Sequence, residues 1–212
     1  MTIFMYLLLP LILTLFCFCY RSRKNVPIIF MGAMAAVILC AVKMLFFYSH
    51  RIVPFSFMEN FLFFLIRESF LPAIIIYGLL LIFSKDTLDF KIYSVFPLLT
   101  SFYAIYMPYS IYNSPSGYFN SFSLFIKPIS YAIMLISIGI LSKEIGKNIK
   151  AKKFLFVALY VLAAIVCLII PSILESYYLI TTKLLVVIII TICFGAFPIT
   201  YSVLKVLGKI KE

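Results

Sequence analysis

The chain has 212 residues, of which 65% are hydrophobic and only 12% are charged, and its mean hydropathy is +1.18. A soluble domain carries about a quarter charged residues, so this composition excludes an ordinary soluble enzyme. Lys and Arg number 18 against 7 Asp and Glu, which gives a net charge of +11. In a membrane protein such an excess orients the chain, so we expect no nucleic-acid partner. The composition predicts an integral protein of the plasma (bacterial inner) membrane.

A helix needs about 20 apolar residues to cross roughly 30 Å of hydrocarbon. Seven stretches approach this length, and we predict one all-α polytopic bundle, a single transmembrane domain over residues 1–212. The fourth stretch is the weakest, because serines, prolines and tyrosines interrupt it. The predicted spans are 2–20, 27–48, 61–83, 91–107, 125–142, 154–174 and 179–204.

Lys and Arg residues alternate between the loops that join these spans. Thirteen of the 18 fall in the first, third and fifth loops and in the C-terminal tail. Because cytoplasmic loops carry the excess of Lys and Arg, we predict an outside N-terminus and a cytoplasmic C-terminus. The most basic loop, Lys143–Lys153, is expected to contact anionic lipid headgroups.

Motifs that carry chemistry are scarce in this sequence. No nucleotide-binding or hydrolase signature is present, and one histidine cannot complete a zinc site. We therefore expect no catalytic residue, metal or cofactor, and favour a protein that is not an enzyme. A weaker hypothesis is a lipid-modifying enzyme that uses His50 and Glu59. The cysteines all lie inside predicted spans and are read as apolar packing residues: Cys17, Cys19, Cys40, Cys167 and Cys193.

Ionisable side chains inside spans are costly and indicate a functional site by default. Span three carries Arg67 and Glu68, and span two carries Lys43 at a similar predicted depth. Consecutive helical residues point about 100° apart, so we predict that Arg67 and Glu68 do not pair with each other. Lys43 is then the expected partner of Glu68. Pro72 lacks the N–H that would bond the Glu68 carbonyl, so this carbonyl is expected to be free at the charged level.

Other charges lie closer to the predicted outer ends of the spans. For these, the simplest interpretation is that the side chains extend to the outer headgroups. The outer loop 108–124 has two interpretations, a segment lying on the headgroups or a lid over an outward-facing cavity. The residues expected to extend outwards are Arg51, Lys127, Glu175 and Lys183.

The outer half of the predicted bundle holds more cations than carboxylates, which favours an anionic or zwitterionic ligand. The leading hypothesis is a small-solute binding or transport component, in which Arg67 holds a carboxylate or phosphate and Glu68 contacts an amine or a proton. The alternative is a non-catalytic subunit or assembly factor of a larger membrane complex, with the same charges forming buried salt bridges. The candidate ligand-binding residues are Arg67, Glu68, Lys43, Asn60 and Lys127.

Overall fold

The computed structural model describes residues 26–47, 56–82, 88–112 and 120–206. Within these ranges the chain is helical apart from short turns, and no strand occurs in them, as the sequence predicts. The helices are α1 (Val26–Phe47), α2 (Phe57–Phe64), α3 (Leu71–Ile82), α4 (Leu88–Tyr112), α5 (Lys127–Lys150), α6 (Phe154–Thr181) and α7 (Leu184–Val206).

Five helical stretches of the described residues are long and apolar enough to cross a membrane, which is compatible with a membrane protein. The predicted first span, 2–20, lies outside the described residues. Helix α4, which replaces the predicted span 91–107, is not among the five, so the count of seven spans stays a prediction. The five stretches are Val26–Leu45, Phe57–Leu79, Phe122–Lys150, Phe154–Thr181 and Leu184–Tyr201.

Helix α4 is the most enclosed helix of the described bundle, although serines, prolines and tyrosines interrupt its apolar sequence. Every residue from 97 to 103 is buried, and α4 packs against both α1 and α5. Its polar side chains are satisfied locally, since the hydroxyls of Thr100 and Ser101 donate to backbone carbonyls one turn earlier. By contrast, α6 exposes large apolar side chains such as Phe154 and Leu162, as a lipid-facing helix does.

Gly32 permits the close packing of α1 on α4. A Cβ atom at this position would lie 2.1 Å from the Ser101 Oγ and 2.6 Å from the Leu98 carbonyl oxygen. Neighbouring Ala36 is fully buried. The small-residue spacing of Gly32 and Ala36 therefore marks a real helix contact, as is common between membrane helices.

Two predicted loops are shorter than expected. The outer loop 108–124 is helical up to Tyr112 and again from Ser121, while 113–119 lie outside the described residues. The basic segment Lys143–Lys153 is also mostly helical, because α5 continues to Lys150. Lysines in the last turn interact favourably with the negative end of the helix dipole, so this run of charges is compatible with a continuing helix.

Two π-helical turns interrupt the helical segments, and each ends two residues before a proline. One, Leu65–Phe70, joins α2 to α3 and precedes Pro72; the other, Phe122–Ile126, leads into α5 and precedes Pro128. A proline ring clashes with the carbonyl four residues earlier in a regular α-helix. The wider i→i+5 turn gives the ring room. The first of these turns contains Arg67 and Glu68, and the second ends just before Lys127.

Candidate functional site

Glu68 is the centre of a buried ionic cluster, which we call the Glu68 cluster and define as Lys43, Arg67 and Glu68. Its side chain is 3% exposed. Ser110 Oγ donates to Glu68 Oε2 at 2.6 Å, and Arg67 Nε lies 3.3 Å from Glu68 Oε1. The Arg67 Nε makes no aligned hydrogen bond to the described residues, so this contact is an ion pair only.

The prediction that Arg67 and Glu68 cannot pair is therefore wrong. Both residues lie in the π-helical turn Leu65–Phe70. A π turn contains more residues than an α turn, so consecutive side chains are rotated less far apart. The smaller rotation lets two long neighbouring side chains meet.

The Lys43 ammonium contacts the main chain of the π turn. Its Nζ donates to the Arg67 carbonyl oxygen at 2.6 Å and to the Tyr106 hydroxyl, and it lies 4.6 Å from the centre of the Tyr106 ring. The predicted direct pair with Glu68 is replaced by these contacts. Glu68 is nevertheless the charge that attracts the Lys43 ammonium most strongly.

Pro72 explains why the backbone of this turn accepts side-chain donors. Its missing N–H removes the i+4 partner of the Glu68 carbonyl and the i+5 partner of the Arg67 carbonyl. Tyr103 donates to the Glu68 carbonyl at 3.3 Å, and Tyr106 donates to the Arg67 carbonyl at 3.1 Å. Polar side chains of α4 thus bond the backbone that the proline leaves open, as membrane helices require.

A second ionic centre, the Lys127–Glu175 pair, joins α5 to α6. Lys127 Nζ donates to Glu175 Oε1 at 2.7 Å, and both residues are 1% exposed. The prediction that these two side chains extend to the headgroups is wrong, because the packed helices turn them towards each other. Lys183, for which the same was predicted, is exposed.

The two centres are close enough to influence each other. Among the neighbouring cations, Lys127 exerts the largest attraction on the Glu68 carboxylate. The Tyr131 side chain is 2% exposed and feels both Glu68 and Glu175. Its hydroxyl has no hydrogen-bond partner among the described residues. Tyr131 is therefore a buried side chain within electrostatic reach of both centres, and its hydroxyl is an unused donor among the described residues.

The remaining candidate residues lie away from this centre or outside the described ranges. Asn60 is buried, and its amide donates to the Ser56 carbonyl at 3.1 Å, in the first turn of α2 and about two turns before Arg67. Glu59 is exposed and forms a capping box with Ser56, which gives it a structural role. His50 and Arg51 lie outside the described residues.

Sequence reasoning missed three partners of the Glu68 cluster on α4. Tyr103, Tyr106 and Ser110 follow one another at intervals of three and four residues, so they share one face of the helix. In the sequence, the tyrosines were interpreted only as interruptions of the weak fourth predicted span. These residues could have been predicted from their spacing, because they are polar residues that recur on one helical face of an otherwise apolar segment.

Comparison with protein-family models, with curated proteins and with solved structures finds no match. In the described part of the chain, no three His, Cys, Asp or Glu side chains come together in a group that could hold a metal ion. Any functional assignment therefore rests on the charges and contacts above.

Proposed function

We propose that this chain is a seven-span membrane protein that binds a small anionic or zwitterionic solute at the Glu68 cluster, as a binding or transport component. The observation that supports this proposal is an imbalance of charge. The two ionic centres together contain three cations, Lys43, Arg67 and Lys127, but only two carboxylates, Glu68 and Glu175.

A net positive charge away from water is costly, because burial removes its hydration. A bound carboxylate or phosphate would remove this cost. Arg67 is the group best placed to hold such an anion, because its side chain is 19% exposed whereas Lys43 is 2% exposed. A guanidinium group can bind a carboxylate or phosphate with two parallel hydrogen bonds.

The unused Tyr131 hydroxyl is a second argument for a ligand or a water molecule at this level. Buried hydroxyls are normally hydrogen-bonded. A solute held by Arg67 could also accept a hydrogen bond from the Tyr131 hydroxyl.

The proposal is tested by thermal unfolding of the purified protein in detergent, with inorganic phosphate, acetate, glutamate and glycine as probes. We expect at least one probe to raise the unfolding temperature in the wild type and not in Arg67→Gln. The matched control is Lys183→Gln, which removes an exposed cation and should keep the shift. The proposal fails if no probe shifts the wild type, or if Arg67→Gln responds equally.

A second candidate function is a non-catalytic subunit or assembly factor of a larger membrane complex. The observation that favours it is that Lys43 and Glu68 each have hydrogen-bond partners within the chain, so the cluster can stabilise the bundle without a solute. Purification in mild detergent separates the two functions. A stoichiometric partner combined with no response to any probe would favour the subunit.

The proposed topology places the N-terminus outside and the C-terminus in the cytoplasm of the plasma (bacterial inner) membrane. The lysines near the end of α5 would then face anionic headgroups of the inner leaflet. Single cysteines at Lys152, in the turn between α5 and α6, and at Thr182, between α6 and α7, test this orientation in a cysteine-free background. A membrane-impermeant thiol reagent added outside should label position 182 and spare position 152.

A further inference from the structure

The Lys43 ammonium contacts acceptor oxygens that belong to elements other than its own helix, α1. The Arg67 carbonyl comes from the π-helical turn, and the Tyr106 hydroxyl and ring come from α4. None of these atoms belongs to α1, the helix that bears Lys43. The arrangement would therefore remain if the lysine side chain were shortened.

These groups suit a cation, and a primary ammonium in particular. Pro72 leaves the Arg67 carbonyl without its helical donor, and the Tyr106 ring presents a face that attracts cations. Glu68 supplies a negative charge that attracts the ammonium. Two oxygen contacts and a ring satisfy an ammonium group with three N–H donors. A Ca²⁺ ion needs six or more oxygens, which this site does not offer among the described residues.

We propose that this is an ammonium-binding site, occupied in the wild-type chain by Lys43 and able to take a free primary alkylammonium ion when the Lys43 side chain is removed. The inference goes beyond the proposed solute site, because it concerns a cation and does not depend on Arg67 binding an anion. In the wild type, the tethered lysine has a high effective concentration and excludes the free ion.

The test is chemical rescue of Lys43→Ala, using the full chain in detergent and methylammonium chloride as the probe. The variant should unfold at a lower temperature than the wild type, because Glu68 loses a compensating charge and the Arg67 carbonyl loses a donor. Methylammonium should raise this temperature in proportion to the logarithm of its concentration. The wild type should show no such rise.

Four controls identify the site. Tetramethylammonium carries the same charge without N–H donors, and methanol has a similar size without charge, so neither should rescue Lys43→Ala. Tyr106→Phe, added to Lys43→Ala, removes one oxygen and should weaken the rescue. Lys43→Gln fills much of the space and should block it.

The proposal would be overturned if methylammonium and tetramethylammonium raised the unfolding temperature of Lys43→Ala equally. It would also be overturned if methylammonium raised the unfolding temperature of Lys43→Gln as much as that of Lys43→Ala. If Lys43→Ala can be purified only with methylammonium present, this dependence supports it. If Lys43→Ala cannot be purified under either condition while Lys43→Gln can, the site does not accept a free ammonium ion and the proposal is wrong. Because Arg67 is unchanged throughout, none of these outcomes bears on the proposed anionic solute.

Discussion

The two ionic centres of this bundle are built in opposite ways. The Lys127–Glu175 pair matches one cation with one carboxylate, and both residues are fully buried. The Glu68 cluster holds two cations and one carboxylate, includes the partly exposed Arg67, and uses backbone carbonyls beside Pro72 as acceptors. A balanced, buried pair is suited to holding helices together, whereas an unbalanced and partly exposed cluster is suited to binding a ligand.

Glu175→Gln should have the largest effect on stability, because it leaves the Lys127 ammonium buried without its partner. We expect a loss of about 3–5 kcal/mol in the free energy of unfolding, measured by denaturant unfolding in detergent. Replacing both residues, with Lys127→Met and Glu175→Leu, should recover most of this loss, because no charge is then left unpaired.

The matched control for Glu175→Gln is Glu144→Gln. Glu144 pairs with Lys147 at 3.1 Å, but this pair is partly exposed. A glutamine at this position can still accept from the Tyr201 hydroxyl, so the substitution should cost less than about 1 kcal/mol. If the two variants lose similar stability, the Lys127–Glu175 pair is not the structural element we describe.

Pro72→Ala tests the role of the open backbone in the Glu68 cluster. The new N–H can bond the Glu68 carbonyl within the helix, where it competes with the Tyr103 hydroxyl for this acceptor. Leaving that buried donor unsatisfied should cost about 1–3 kcal/mol. A double-mutant cycle measures the link: Tyr103→Phe should cost less in the Pro72→Ala background than alone. Additive costs would show that the proline and the hydroxyl are independent.

Gly32→Ala tests whether the packing of α1 on α4 holds Lys43 against Tyr106. The added methyl group would lie 2.1 Å from Ser101 Oγ, and such overpacking costs about 1–3 kcal/mol. Gly78→Ala is the control, since nothing lies within 4 Å of a Cβ there; it should be neutral or stabilise α3 by up to about 1 kcal/mol. Equal effects would contradict the close approach at Gly32.

Arg67→Gln should have a smaller effect on stability than Glu175→Gln, Pro72→Ala or Gly32→Ala. Its side chain is 19% exposed and its ion pair with Glu68 lacks an aligned hydrogen bond, so we expect a change below about 1 kcal/mol. Its loss also lowers the excess positive charge. A loss of several kcal/mol in denaturant unfolding would mean that Arg67 is a structural residue, like Lys127.

The sequence predicted some features of this molecule well and others poorly, for physical reasons. Helix α1 begins and ends within one residue of the predicted span 27–48, because a long apolar run with Lys43 as its only charge leaves little choice. The predicted loops were too long, since polar residues inside a bundle can remain helical when their hydroxyls bond the backbone. The pairing of Arg67 with Glu68 depends on a π turn before Pro72, whereas the prediction assumed a regular α-helix there.

Tertiary contacts were the least predictable part of the candidate site. Lys127 and Glu175 are separated by 48 residues, so nothing in the local sequence of either one indicates the other. The members of the Glu68 cluster were easier to predict, because Lys43, Arg67 and Glu68 are rare charges within apolar segments. Their partners on α4 escaped notice because tyrosine and serine are ordinary residues in a membrane helix.

The central claim, that the Glu68 cluster is open to a solute from outside while the Lys127–Glu175 pair is dry, is tested most directly by cysteine accessibility. In a cysteine-free background, Arg67→Cys and Lys127→Cys are treated in intact cells with a membrane-impermeant cationic thiol reagent. We predict that position 67 is labelled at a substantial rate and that position 127 is not. Equal labelling of both positions, or no labelling at position 67, would contradict this account.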